Sequence, residues 1–201
     1  MARRNRDRPD HRRLTVADEA ARIMQEQGLR DFRAAKAKAV ARLGLEDHGA
    51  MPSNEEIEQA LGARNRIFLG DAHGQLLEQM RRAALYIMEE LECYQPRLVG
   101  PVLNGSATSN SRIDLHALSD TVEAVGETLA ALGIPQRTVQ HRLRFRRDEI
   151  ESFPGLVFQD HGFDFDVTVF PERSRGHSPL SAIDGRPMRR AGAREVAKLI
   201  G

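Results

Sequence analysis

Gly105-Ser106, Asp114 and the alternating pair Asp164 and Asp166 are residues whose types and spacing suit the handling of phosphate. Glycine lets a backbone approach a phosphate closely, and a serine hydroxyl with free amides at a helix start binds its oxygens. Residues i and i+2 on a strand share a face, so carboxylates at that spacing aim at one point. Magnesium takes such oxygen ligands, and two ions stabilise both the attacking and the leaving oxygen of a phosphoryl displacement. Residues 98–118 read LVGPVLNGSATSNSRIDLHAL: a Gly-Ser pair after a short apolar run, a polar loop, then Asp114. Residues 163–170 read FDFDVTVF, with Asp164, Asp166 and Thr168 on one face and Phe163, Phe165, Val167 and Val169 on the other. Simpler roles exist for the same residues: an ordinary turn at Gly105-Ser106, the solvent face of an edge strand at Asp164–Thr168, and a pairing of Asp114 with Arg112 or Arg142.

Other chemistries have less support. No G-x-x-x-x-G-K-[ST] loop, G-x-S-x-G elbow or H-E-x-x-H pair occurs. His116 lies on the polar face of its run and reads as a surface or hydrogen-bonded histidine. Cys93 is the single cysteine, so there is no intrachain disulfide framework; at the end of an apolar helix face it reads as a buried, inert thiol. Thirty basic against 29 acidic residues leave a net charge of +1, which argues against wholesale coating of nucleic acid or an anionic membrane. Local basic groups exist at Arg142, Arg144, Arg146 and Arg147 and at 185–190 (GRPMRR), but no aromatic interleaving marks base stacking. No apolar run approaches the ~18–20 residues needed to cross a bilayer, and no export segment follows the basic start. A cytoplasmic setting is the expectation.

The elements that must position these residues fall into two halves. Residues 1–13, with six Arg against two Asp, read as a disordered basic arm, and residues 14–95 as a helical region. Helices are expected over about 15–27, stopped by Gly28, and about 30–43, ended by Gly44, before a loop with Gly49 and Pro52. A third helix starts at a Ser53/Glu56 capping box. The fourth, about 74–94, carries Leu76, Leu77, Met80, Ala83, Ala84, Ile87, Met88 and Leu91 at the three- and four-residue steps of one face, and reads as core. Residues 96–201 read as an α/β domain: strands over 97–104, 113–118, 140–145, 156–159 and 163–170, a helix over 119–132 capped by Ser119, and a closing helix over 191–200. Asp160-His161-Gly162 suits a hairpin turn. The fold expected is α+β, a helical N-terminal region followed by a small mixed β-sheet with flanking helices.

The stretch 98–118 with 163–170 resembles the nucleotidyltransferase superfamily, the polymerase-β-like fold of the minimal nucleotidyltransferases. In that family a strand ends in a Gly-Ser pair against the nucleotide's phosphates, the next strand carries D-x-D, and a later strand adds a third acid. The resemblance implies magnesium as cofactor, held by Asp114 and Asp166 as catalytic and metal-binding residues. It implies contacts from Gly105, Ser106, Arg142 and Arg144 to a nucleoside triphosphate, and transfer of a nucleotidyl group to an acceptor hydroxyl. His116 stands where the second acid of D-x-D belongs, and a neutral imidazole is a poor magnesium ligand. A catalytically inactive member, acting as an interaction protein or homo-oligomer through its N-terminal helices, is the alternative, and a small nucleic-acid-associated protein is the third.

Overall fold

In the computed structural model, residues 7–29, 31–45, 51–146 and 149–200 are described. Contacts divide the chain into two units, residues 1–73 with 182–184, and residues 74–181 with 185–201.

The first unit is made of α1 (Asp7–Gln27), α2 (Phe32–Leu43) and the beginning of α3 (Asn54–Glu90). Its core is rich in alanine: Ala17, Ala20, Ala21, Ala35 and Ala39 are buried with Ile23, Met24 and Ile57. Small side chains let helices approach closely, and alanine carries the highest helix propensity. Asp31 caps α2 by accepting from Arg33 N and Ala34 N, and Gly44 closes it in the left-handed region. The capping box forms as its spacing requires: Glu56 N donates to Ser53 Oγ at 3.1 Å, and Ser53 N donates to Glu56 Oε2 at 2.8 Å. The expected basic arm differs. Residues 1–6 lie outside the described residues, whereas 7–13 are the first turns of α1, where Arg13 pairs with Asp10 at 3.2 Å and Glu56 at 3.1 Å. Arg30 and Gly49 also lie outside the described residues.

Helix α3 is broken at Gly70, whose φ of 46° and ψ of −124° are not helical. From Gly74 onward it belongs to the second unit, because Leu77, Met80, Ala84, Ile87, Met88 and Leu91 bury themselves among sheet residues. The expected division near residue 95 therefore falls at 73/74 by contacts.

The second unit is built on five strands, β1 (Arg97–Val99), β2 (Ile113–Leu118), β3 (Gln136–Arg146), β4 (Glu149–Asp160) and β5 (Phe163–Phe170), in the order β1-β2-β5-β4-β3. Only the β2–β5 pair is parallel. Helices α4 (Gly100–Asn104), α5 (Val122–Ala131) and α6 (Ala193–Ala197) complete it, with 3-10 turns at Glu92–Tyr94 and Glu172–Ser174. The fold is α+β with a mixed five-stranded sheet. Leu98, Leu115, Ala117, Leu156, Phe158, Phe165, Val167 and Val169 form its apolar face, packed with α3 and with Val125 and Leu129 of α5. The β4–β5 hairpin turns through His161 and Gly162, both at positive φ (50° and 79°).

The strand expected over 97–104 is half strand and half helix. Gly100 turns the chain at φ 71°, and Pro101 opens α4, where a missing N–H costs nothing. Thr121, not Ser119, occupies the N-cap of α5; Ser119 Oγ instead donates to Thr121 O at 2.8 Å. Cys93 is exposed, because the 3-10 turn at Glu92–Tyr94 takes it off the buried face of α3. Among the described residues no helix is long and apolar enough to cross a membrane.

Candidate functional site

The face of the sheet opposite the helices carries the polar groups. On the parallel neighbours β2 and β5, Asp114 stands beside Asp166 and His116 beside Thr168. Both pairs point away from the apolar core because Leu115, Ala117, Phe165 and Val167 alternate with them. Val99 of β1 is the register partner of Asp114, and the chain turns at Gly100 directly against it. A Cβ at Gly100 would lie 2.7 Å from Asp114 Oδ2, so both the positive φ and the close carboxylate demand glycine there.

Two side chains hold Asp166. Arg112 Nη1 lies 3.4 Å from Oδ2, and His141 Nε2 lies 2.8 Å from Oδ1. His141 belongs to β3, two strands away, and reaches Asp166 by lying across Gly155 of β4. A Cβ at Gly155 would fall 2.6 Å from the His141 ring and 2.8 Å from the Val167 carbonyl oxygen. Burial works against the charge of Asp166, but His141 and Arg112 outweigh it and hold the carboxyl below its ordinary range.

His116 is 5% exposed, and its Nδ1 has no hydrogen-bond partner. Its ring meets Phe170 edge to face at 4.8 Å, next to Phe153 and Phe145. Burial, with the charges of Arg190 and His141, pushes its pKa down to about 3, so the imidazole is neutral at ordinary pH. It forms part of a cleft of about 400 Å³ lined also by Gln95, Arg97, Phe170, Arg175 and Arg190.

The other residues singled out in the sequence are placed elsewhere. Gly105 is the left-handed cap of α4, not a strand end, and the amides of Gly105, Ser106 and Ala107 all donate to Pro101 O, at 2.8, 3.0 and 3.3 Å. A Cβ at Gly105 would face Arg81 and Leu77. The strand-end glycine beside the carboxylate is Gly100. Arg142 and Arg144 alternate with His141, Leu143 and Phe145, so they project from the opposite face of β3 to the one that meets Asp166. Asp164 is exposed and accepts from Gln159 Nε2 at 2.7 Å.

No family model, curated protein or solved structure matches the chain.

Arg112, His141, Arg97 and Arg190 were not legible as site residues. A glycine inside the β4 run was the available signal for His141, because an interior strand glycine marks a close approach. The cleft residues come from three separate segments, and no spacing joins them.

Asp114 and Asp166 are oxygen donors of the kind a hard cation takes, and both oxygens of Asp166 are engaged by Arg112 and His141. Magnesium is commonly held by one or two carboxylates together with substrate phosphates. They do not suit two ions: among the described residues no group of three His, Cys, Asp or Glu is arranged for a metal, and His116 brings a neutral nitrogen.

Proposed function

We propose that the second unit is a nucleotidyltransferase-like domain that binds a nucleoside triphosphate on the Asp114–Asp166 face and passes its nucleotidyl group to an acceptor hydroxyl, in a cytoplasmic setting. The observation that carries this reading is the placement of two carboxylates from distant segments side by side on parallel strands. Asp114 and Asp166 would hold one magnesium ion, which supplies charge neutralisation at the phosphate oxygens when bound. Arg112 and His141 orient Asp166, and Gly100 admits the Asp114 carboxylate against the β1 turn.

A second reading is favoured by the contacts of Asp166. Arg112 and His141 already engage both of its oxygens, and His116 supplies no charge where a further acid would complete the set. In this reading the domain keeps the fold and an anion-binding face but performs no transfer, and its helical first unit serves a protein partner or a second copy.

Incubation of the purified protein with each nucleoside triphosphate and magnesium separates them. Pyrophosphate release that disappears in Asp114→Ala establishes transfer. Saturable triphosphate binding without release establishes the second reading, and absence of binding to every triphosphate overturns both.

A further inference from the structure

The cleft floored by His116 has the construction of an anion site. The backbone places its two central arginines together. Leu98 N donates to Ala191 O at 2.8 Å and Ala191 N donates to Leu98 O at 2.9 Å, which lays the segment before α6 against β1. Leu98 and Ala191 turn into the core, so their neighbours Arg97 and Arg190 are turned to the other face. Gly192 completes the arrangement, because a Cβ there would collide with the guanidinium of Arg97.

Two guanidinium groups therefore share one cleft, and neither forms an ion pair with a carboxylate among the described residues. Arg175, a third cation of the lining, is paired with Glu172 at 2.8 Å. Like charges that share a partly buried cleft repel and lose hydration; an anion between them relieves both costs. The His116 ring, 5% exposed, closes the cleft beside them.

We infer that this cleft binds a polyphosphate, with Arg97 and Arg190 on its oxygens and the neutral His116 ring as part of its wall. Guanidinium forks match phosphate oxygens in pairs, which an ammonium cannot do. His116 lies two residues beyond Asp114 on the same strand face, about 7 Å along the strand. A phosphate chain seated in the cleft thus runs toward the carboxylate pair. The nucleoside part of the ligand rests on the function proposed above; the polyphosphate part does not.

The test is calorimetric titration of the full chain with inorganic pyrophosphate, with a nucleoside triphosphate and with the free nucleoside. Wild-type protein is expected to bind pyrophosphate saturably, and Arg97→Gln and Arg190→Gln are each expected to weaken it by about tenfold or more. Arg82→Gln removes an equal charge from an exposed Glu78 pair on α3 and is expected to leave the affinity unchanged. Gly192→Ala keeps every charge and shifts only the flexible end of Arg97, so it should weaken pyrophosphate less than Arg97→Gln does. Melting curves establish that each variant is folded. Failure of wild-type protein to bind pyrophosphate, or unaltered affinity in both arginine variants, overturns the site. Pyrophosphate binding with no added affinity for the triphosphate keeps the site and removes the nucleotide reading. Triphosphate binding indifferent to Arg97 and Arg190 keeps that reading and removes the site.

Discussion

The two faces of the five-stranded sheet are made from alternate residues of the same strands, yet they have been put to different uses. One face is closed by α3 and α5 over Leu115, Phe165, Val167 and Leu156, with Phe158 and Phe165 stacked at 5.0 Å. The other carries Asp114, Asp166, His141 and Arg112 beside a cleft of arginines around a buried histidine. Area removed from water is large and non-directional on the first face; on the second, position and charge matter more than area. The contrast teaches that strand alternation separates apolar packing from a charged, polar face within one sheet, so the two should respond to different substitutions.

The largest effect is expected on the helix-covered face. Leu129→Ala, at a fully buried position of α5, should cost about 2–5 kcal/mol in denaturant unfolding while polyphosphate affinity stays at the wild-type value. Loss of affinity in the folded variant would break the division between the faces.

A smaller effect is expected where the polar face depends on a missing side chain. Gly155→Ala forces a methyl group onto the His141 ring and the Val167 carbonyl, and should cost about 1–3 kcal/mol. Since part of that cost is the lost His141–Asp166 contact, Gly155→Ala and Asp166→Asn combined should be less than additive. Full additivity in a double-mutant cycle would remove His141 from the site.

The smallest effect belongs to the charge of Asp166 itself. Its folded pKa lies below the ordinary 3.8, so its contribution is present above that value and is lost as pH falls through the folded one. The stability gap between wild-type protein and Asp166→Asn, about 1 kcal/mol at neutral pH, should close on acidification below pH 3.8. A gap independent of pH would show that the ion pairs add nothing.

Much of this architecture was legible because periodicity and capping are local. The face of α3 from Leu77 to Leu91, the Ser53/Glu56 box, the IDLHAL strand and the turn at His161-Gly162 all follow from neighbouring residues. Asp114 and Asp166 were brought together only by the resemblance, which has both hold magnesium; spacing does not pair them, since parallel pairing joins distant segments. Gly105-Ser106 reads as a strand-end pair, whereas it closes α4 with its amides donating to Pro101 O, a local closure that composition does not show. For Arg142 and Arg144 the mutual alternation was legible, whereas the face that they share depends on register with β4 and β5. Arg97 and Arg190 were hidden because the bridge between Leu98 and Ala191 that brings them together has no signature in either segment.

Amide and side-chain NMR spectra of the full chain, titrated with a non-hydrolysable nucleoside triphosphate, test the polar face most directly. Shifts concentrated at Arg97, Asp114, His116, Asp166, Thr168 and Arg190 are expected. Shifts concentrated instead at Arg142 and Arg144, or spectra unchanged at saturating ligand, would contradict it.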